Sequence, residues 1–114
     1  MEQSYTEFNR HKKQLTAAYE KASPDVMAGF RKLQQAALKE GALDIKQKEL
    51  IALGIAIAVR CDGCIGAHVA GAIQHGATKQ ELVETIDIAL LMGGGPSIVY
   101  GSEAYAAVEE LISA

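Results

Sequence analysis

Hydrophobic positions along the chain recur with the three-to-four-residue step of a helix. In the first segment, Ser4 to Ala22, the residues Phe8, Leu15, Ala18, Tyr19 and Ala22 fall on one stripe, with charge elsewhere. Ser23, Pro24 and Asp25 then supply an N-cap, a first-position proline and a first-turn carboxylate. Val26, Phe30, Leu33 and Ala37 share a face of the second helix, and Gly41 ends it. Asp44 opens a third helix with Gln47 as its capping-box partner. From Leu50 to Val59 this helix is apolar on every side, which predicts that protein surrounds it. Ile55 to Val59 would also suit a strand, but Ala and Leu dominate the run and a capped helical start precedes it.

Arg60 and Cys61 mark a turn, and a fourth helix runs from Asp62 to His75, ended by Gly76. Gly63, Gly66 and Gly71 each weaken that helix by about 1 kcal/mol relative to Ala, and permit close approach of a neighbour. Thr78 with Glu81 is a capping box for a fifth helix, Lys79 to Met92. Leu82, Ile86, Ala89 and Leu90 form its core stripe, yet Val83, Ile88 and Leu91 lie outside it. Gly93-Gly94-Gly95-Pro96 breaks the chain, without the Lys or the preceding strand of a phosphate-binding loop. In the sixth helix Ile98, Gly101, Tyr105, Val108 and Ile112 align. The expected fold is all-α, about six short helices in one domain over residues 1–114. Its surplus of apolar surface predicts a homo-oligomer with large apolar interfaces.

Composition sharpens this picture in two ways. Hydrophobic residues make up 49% of the chain but aromatics only 5%, so Ala, Leu, Ile and Val must fill the core. The net charge of −3 comes without a basic block, which argues against a nucleic-acid partner. The Leu50–Val59 run is far short of the about 20 residues that a membrane span needs. The N-terminal stretch is polar and mixed in charge, unlike a signal peptide, and two cysteines make no secreted disulfide scaffold. The expectation is a soluble, cytoplasmic protein.

Both cysteines and one of the three histidines fall within Cys61-Asp62-Gly63-Cys64-Ile65-Gly66-Ala67-His68. Steps of three and four place Cys61, Cys64 and His68 on one helical face. The first turn, with its unpaired amides and positive dipole end, lowers a thiol pKa. A thiolate there attacks a peroxide or a disulfide, and the second cysteine is close enough to close a disulfide with it. His68 is placed to take or relay the thiol proton. If the third and fourth helices pair antiparallel about Cys61, Glu49 and His68 become neighbours to within one turn. A carboxylate there would fix the imidazole tautomer and raise its basicity. Zinc competes for Cys61, Cys64 and His68, but His75 is too far along the helix to be the fourth ligand, leaving only Glu49. Haem attachment needs His directly after the second cysteine, where Ile65 stands. Two inert buried thiols are the plain alternative, and His11 and His75 read as surface or cap residues.

The spacing Glu49, Cys61, Cys64, His68 resembles the core motif of the alkylhydroperoxidase AhpD-like proteins, within the carboxymuconolactone decarboxylase superfamily. Leu91 to Pro96, Tyr100 and the Glu-rich last helix are similar to small members, so the resemblance covers roughly residues 25–112. It implies an all-α fold with the CxxC at a helix N-terminus in an antiparallel hairpin, assembled into trimers or hexamers. The implied activity is thiol peroxidase or disulfide reductase chemistry without haem, flavin or metal. In that pattern Cys64 attacks the peroxide, Cys61 resolves the sulfenic acid, and Glu49 and His68 relay protons. The implied partners are a hydroperoxide and an external dithiol donor, a dihydrolipoyl protein in the best-known relatives. Gly63 departs from those members that carry a second His before the second cysteine. The decarboxylases of the superfamily use no CxxC, so their lactone chemistry does not carry over. A redox-sensing or adaptor oligomer without efficient turnover is the alternative reading.

Overall fold

A computed structural model of the protein describes residues 4–113. They form six helices and, among the described residues, no strand: α1 (Tyr5–Ala22), α2 (Pro24–Leu38), α3 (Ile45–Ala58), α4 (Asp62–Gln74), α5 (Lys79–Gly93) and α6 (Gly95–Ile112). The local signals explain most of these boundaries. Both capping boxes form. Gln47 N–H donates to Asp44 Oδ1 at 2.7 Å while Asp44 N–H donates to Gln47 Oε1 at 2.9 Å. Glu81 N–H donates to Thr78 Oγ1 at 3.1 Å while Thr78 N–H donates to Glu81 Oε1 at 2.8 Å. Ser23 stands at the N-cap of α2, but its hydroxyl makes no capping bond there.

The core lies between α3, α4, α5 and α6. Leu53, Ile57, Ile65, Val69, Leu82 and Val108 are its largest fully buried side chains. α1 adds only its first two turns, where Tyr5 and Phe8 are buried edge-to-face with ring centroids 6.1 Å apart. A contact distant in sequence holds that end down. Glu110 of α6 accepts the Tyr5 and Thr6 amides at 2.8 and 2.9 Å and the Thr6 hydroxyl at 2.8 Å. Those amides, the free donors of the first turn of α1, hold the Glu110 carboxyl below its ordinary range.

Several boundaries and faces differ from the sequence expectation. α2 stops at Leu38, where Lys39 turns extended, before Gly41 is reached. The glycine break shrinks to Gly94 alone, whose φ of 69° ends α5, while Gly95 already opens α6. α2 buries none of its residues against this chain, and Val26, Phe30 and Leu33 are exposed, as are Leu15 and Tyr19 of α1. α3 is not enclosed by its own chain either, since Ile51, Ile55 and Val59 form an exposed row. In α5 the expected stripe buries Leu82 and Ala89 but leaves Leu90 exposed. In α6 Ser97, Gly101, Ala104, Ala107 and Val108 face inward, while Ile98 and Tyr105 do not. No helix among the described residues is long and apolar enough to cross a membrane.

Candidate functional site

The turn between α3 and α4 carries the site. Cys61 N–H bonds to the Ala56 carbonyl at 3.0 Å and Arg60 N–H to the Ile57 carbonyl at 3.2 Å. This is the paired closure of a Schellman cap, which needs one left-handed residue. At the end of α4 the same closure uses Gly76, with φ 91°. Here Arg60 takes that place with φ 63°, a conformation that costs a non-glycine residue roughly 1 kcal/mol. The turn sets Cys61 at the N-cap of α4 rather than inside its first turn, and Cys64 N–H donates to Cys61 Sγ at 3.2 Å. A sulfur so placed receives the helix's free amides and its positive end, which favour a thiolate. Cys61 and Cys64 are joined as a disulfide, with Cα atoms 5.2 Å apart.

α3 and α4 run antiparallel, for Glu49 near the start of α3 meets His68 and Gly71 in the second half of α4. Glu49 is only 7% exposed, which a lone carboxylate would not tolerate. Its Oε1 lies 3.0 Å from His68 Nδ1. The imidazole therefore directs Nδ1–H at the carboxylate and keeps Nε2 free as the acceptor on its other side. The other carboxylate oxygen sits over Gly71, in the space a side chain there would fill. A side chain at Gly66 would likewise strike the Asn9 amide, which would have to swing away. Asn9 Nδ2 instead donates to the Gly66 carbonyl at 3.2 Å and fastens α1 across α4. Gly63 has no such role, its nearest neighbour being the stem of Lys12.

A cleft of about 770 Å³ opens between the α1–α2 pair and α4. Its lining includes Cys61, Cys64 and His68, together with Met27 and Phe30 of α2. Beside the turn, burial and the adjacent Asp62 raise the Glu103 carboxyl above its ordinary range. All four expected residues thus gather at one place: three line the cleft, and Glu49 stands behind His68. His75 is the C-cap of α4, its Nδ1–H donating to the Gly71 carbonyl at 2.9 Å, and His11 is exposed. Asn9 and Lys12 were not marked by the sequence, because nothing in the helical pattern says which polar residue of α1 crosses α4. The described residues contain no group of three or more His, Cys, Asp or Glu side chains placed to hold a metal ion.

Fold and site together define an all-helical protein with a cysteine pair at a helix N-terminus, backed by a carboxylate–histidine pair. The chain belongs to the carboxymuconolactone decarboxylase family, whose model matches residues 24–109. A family protein of Legionella pneumophila, solved in its apo form, superposes with a TM-score of 0.91 at 44% identity, over 95% of this chain and 96% of that one. A structure from Thermotoga maritima gives 0.86 at 33% identity, over 94% of both chains. Among curated sequences, an uncharacterised protein of Cupriavidus necator is 38% identical over 93% of this chain and 90% of its own length.

Proposed function

We propose that the protein is a thiol-dependent hydroperoxide reductase of the AhpD-like kind. The observation that carries the reading is the Glu49–His68 pair, 3.0 Å apart, one turn along α4 from Cys64 and below a cysteine pair at the helix N-terminus. The cleft beside it gives a substrate access. A Thermotoga maritima family protein has been named as a possible participant in an antioxidative response, which agrees with this direction.

In this mechanism His68 Nε2 accepts the Cys64 thiol proton, and Glu49 stabilises the imidazolium that forms. The thiolate attacks the terminal oxygen of ROOH. The O–O bond breaks, the proton from His68 goes to the leaving alkoxide, and Cys64 becomes a sulfenic acid. Cys61 then attacks the Cys64 sulfur, the S–S bond forms, and the sulfenic oxygen leaves as water with the Cys61 proton. The sum is two thiols and ROOH giving a disulfide, ROH and water. An external dithiol, such as a dihydrolipoyl protein, returns the two electrons. No resident cofactor takes part. The working form is a homo-oligomer, a trimer or hexamer as in the resembling proteins.

The test is consumption of hydroperoxide with dihydrolipoamide as donor. Wild type turns over many times, Cys64→Ser loses consumption, and His68→Gln slows it by about 10²-fold or more. Loss with Cys61→Ser alone would reverse the cysteine roles. One peroxide consumed per chain, with dithiol in excess, would replace the enzyme by a sensor.

A further inference from the structure

The cleft has one wall that the family match does not cover, because α1 lies before residue 24. Glu110 and Asn9 hold that helix across α4, and the hold brings Lys12 and Lys13 onto the cleft wall. The stem of Lys12 lies on Gly63, where a Cβ would stand 3.9 Å from its Cγ. Its ammonium is 5.2 Å from the centre of the Phe8 ring. The third cation of the lining, Arg31, is paired with Glu20 at 2.7 Å. Lys12 and Lys13 have no carboxylate within 4.0 Å among the described residues. Two ammonium groups without a carboxylate partner among the described residues therefore line the same cleft as the cysteine pair and the apolar side chains of Met27 and Phe30. The lysines attract an anion, and Met27 and Phe30 attract hydrocarbon.

We propose that the cleft selects hydroperoxides that carry a carboxylate on a hydrocarbon chain, with Lys12 as the specificity-determining cation and Lys13 beside it. The substrate class rests on the peroxidase reading, but the anion site itself does not. Lys12 and Lys13 are exposed, so solvent screens each of them, but a carboxylate that meets both is held by two charges at once. The hydrocarbon then lies along Met27 and Phe30, and a cleft of about 770 Å³ has room for it. The Lys12 stem reaches Gly63 at ordinary van der Waals distance, the position where some members of the resembling family carry a histidine.

Two measurements separate the site from the chemistry. In the first, titration calorimetry compares octanoate with octanamide, a neutral analogue. Wild type binds octanoate about tenfold more tightly, as expected for one partly screened charge-assisted contact. The preference shrinks towards one in Lys12→Gln, returns in Lys12→Arg, and narrows in high salt. Equal binding of acid and amide by wild type, or an undiminished preference in a folded Lys12→Gln/Lys13→Gln double variant, overturns the site. In the second, kcat/KM is compared for a fatty-acid hydroperoxide and its methyl ester. The acid is favoured by wild type and loses its advantage in Lys12→Gln. An acid-to-ester ratio unmoved by Lys12→Gln overturns the proposed specificity. If neither substrate is consumed while octanoate still binds through Lys12, the peroxidase reading fails and the anion site stands.

Discussion

Gly71 carries no side chain because the Glu49 carboxylate occupies that space, and this is what lets a buried acid reach His68 from the facing helix. Gly71→Ala must push the carboxylate or separate the helices, at a cost of about 1–3 kcal/mol. Denaturant unfolding should show that loss. On the peroxidase reading, the rate at which peroxide oxidises Cys64 should also fall, because the imidazole loses the carboxylate that orients it. Gly54 is the control. A Cβ there meets only Thr85 Cγ2 at 3.8 Å, an ordinary contact, so Gly54→Ala should hold or raise stability by about 0.5–1 kcal/mol. Equal behaviour of the two variants would mean that Gly71 is merely a weak point of the helix. At this scale the sequence was readable wherever spacing along one or two helices decides the outcome. Glu49, Cys61, Cys64 and His68 meet because helical rise and periodicity bring them together. Asn9, Lys12 and Glu110 were unreadable because their contacts depend on how α1 lies across α4 and α6.

Among the elements, helix starts with side-chain caps were legible, and so was the glycine that closes α4, but the end of α2 was not. Asp44 with Gln47 and Thr78 with Glu81 declare helix starts by short-range hydrogen bonding alone. Gly41 misplaced the end of α2, since the chain had already left the helix at Lys39. The docking of α1 was equally silent, and it has a consequence for pH. Burial, then the carboxylates of Glu103, Asp62 and Glu110, push the Tyr5 hydroxyl up to about 12. The ordinary value of 10.0 applies once the chain unfolds. Below pH 10 the neutral hydroxyl stabilises the fold in full, and that contribution is lost as pH rises towards 12, about 2–3 kcal/mol in all. Tyr5→Phe keeps the ring against Phe8 and removes the titration. Unfolding at pH 8 and pH 11.5 should therefore show wild type falling relative to Tyr5→Phe over that interval. Parallel decline of the two proteins would place the alkaline sensitivity elsewhere.

For the whole molecule, the pattern of apolar residues states what is kept from water but not which chain keeps it there. The all-round apolar run of α3 predicted enclosure, yet Ile51, Ile55 and Val59 lie bare in the single chain, and so do Ile88, Leu91 and Met92 of α5. The accessible surface of 7191 Å² makes the same point. Monomers of 12.1 kDa expose about 6,000 Å² by the scaling of surface with mass. The excess, about 1,200 Å², is more than the about 800 Å² per partner that a standard interface covers, and its apolar make-up suits another copy of the same chain. Sedimentation velocity at micromolar concentration should give a mass several times that of one chain. Ile55, 57% exposed in the middle of the α3 row, is the residue to change. Ile55→Glu places a charge in the interface without touching the buried core, so the assembly should dissociate while helicity is kept. A monomeric wild type would overturn the proposal, and so would an Ile55→Glu protein that keeps its mass. If dissociation also lowered peroxide turnover, the neighbouring copy would be acting on the cleft through α2, which buries none of its residues against its own chain.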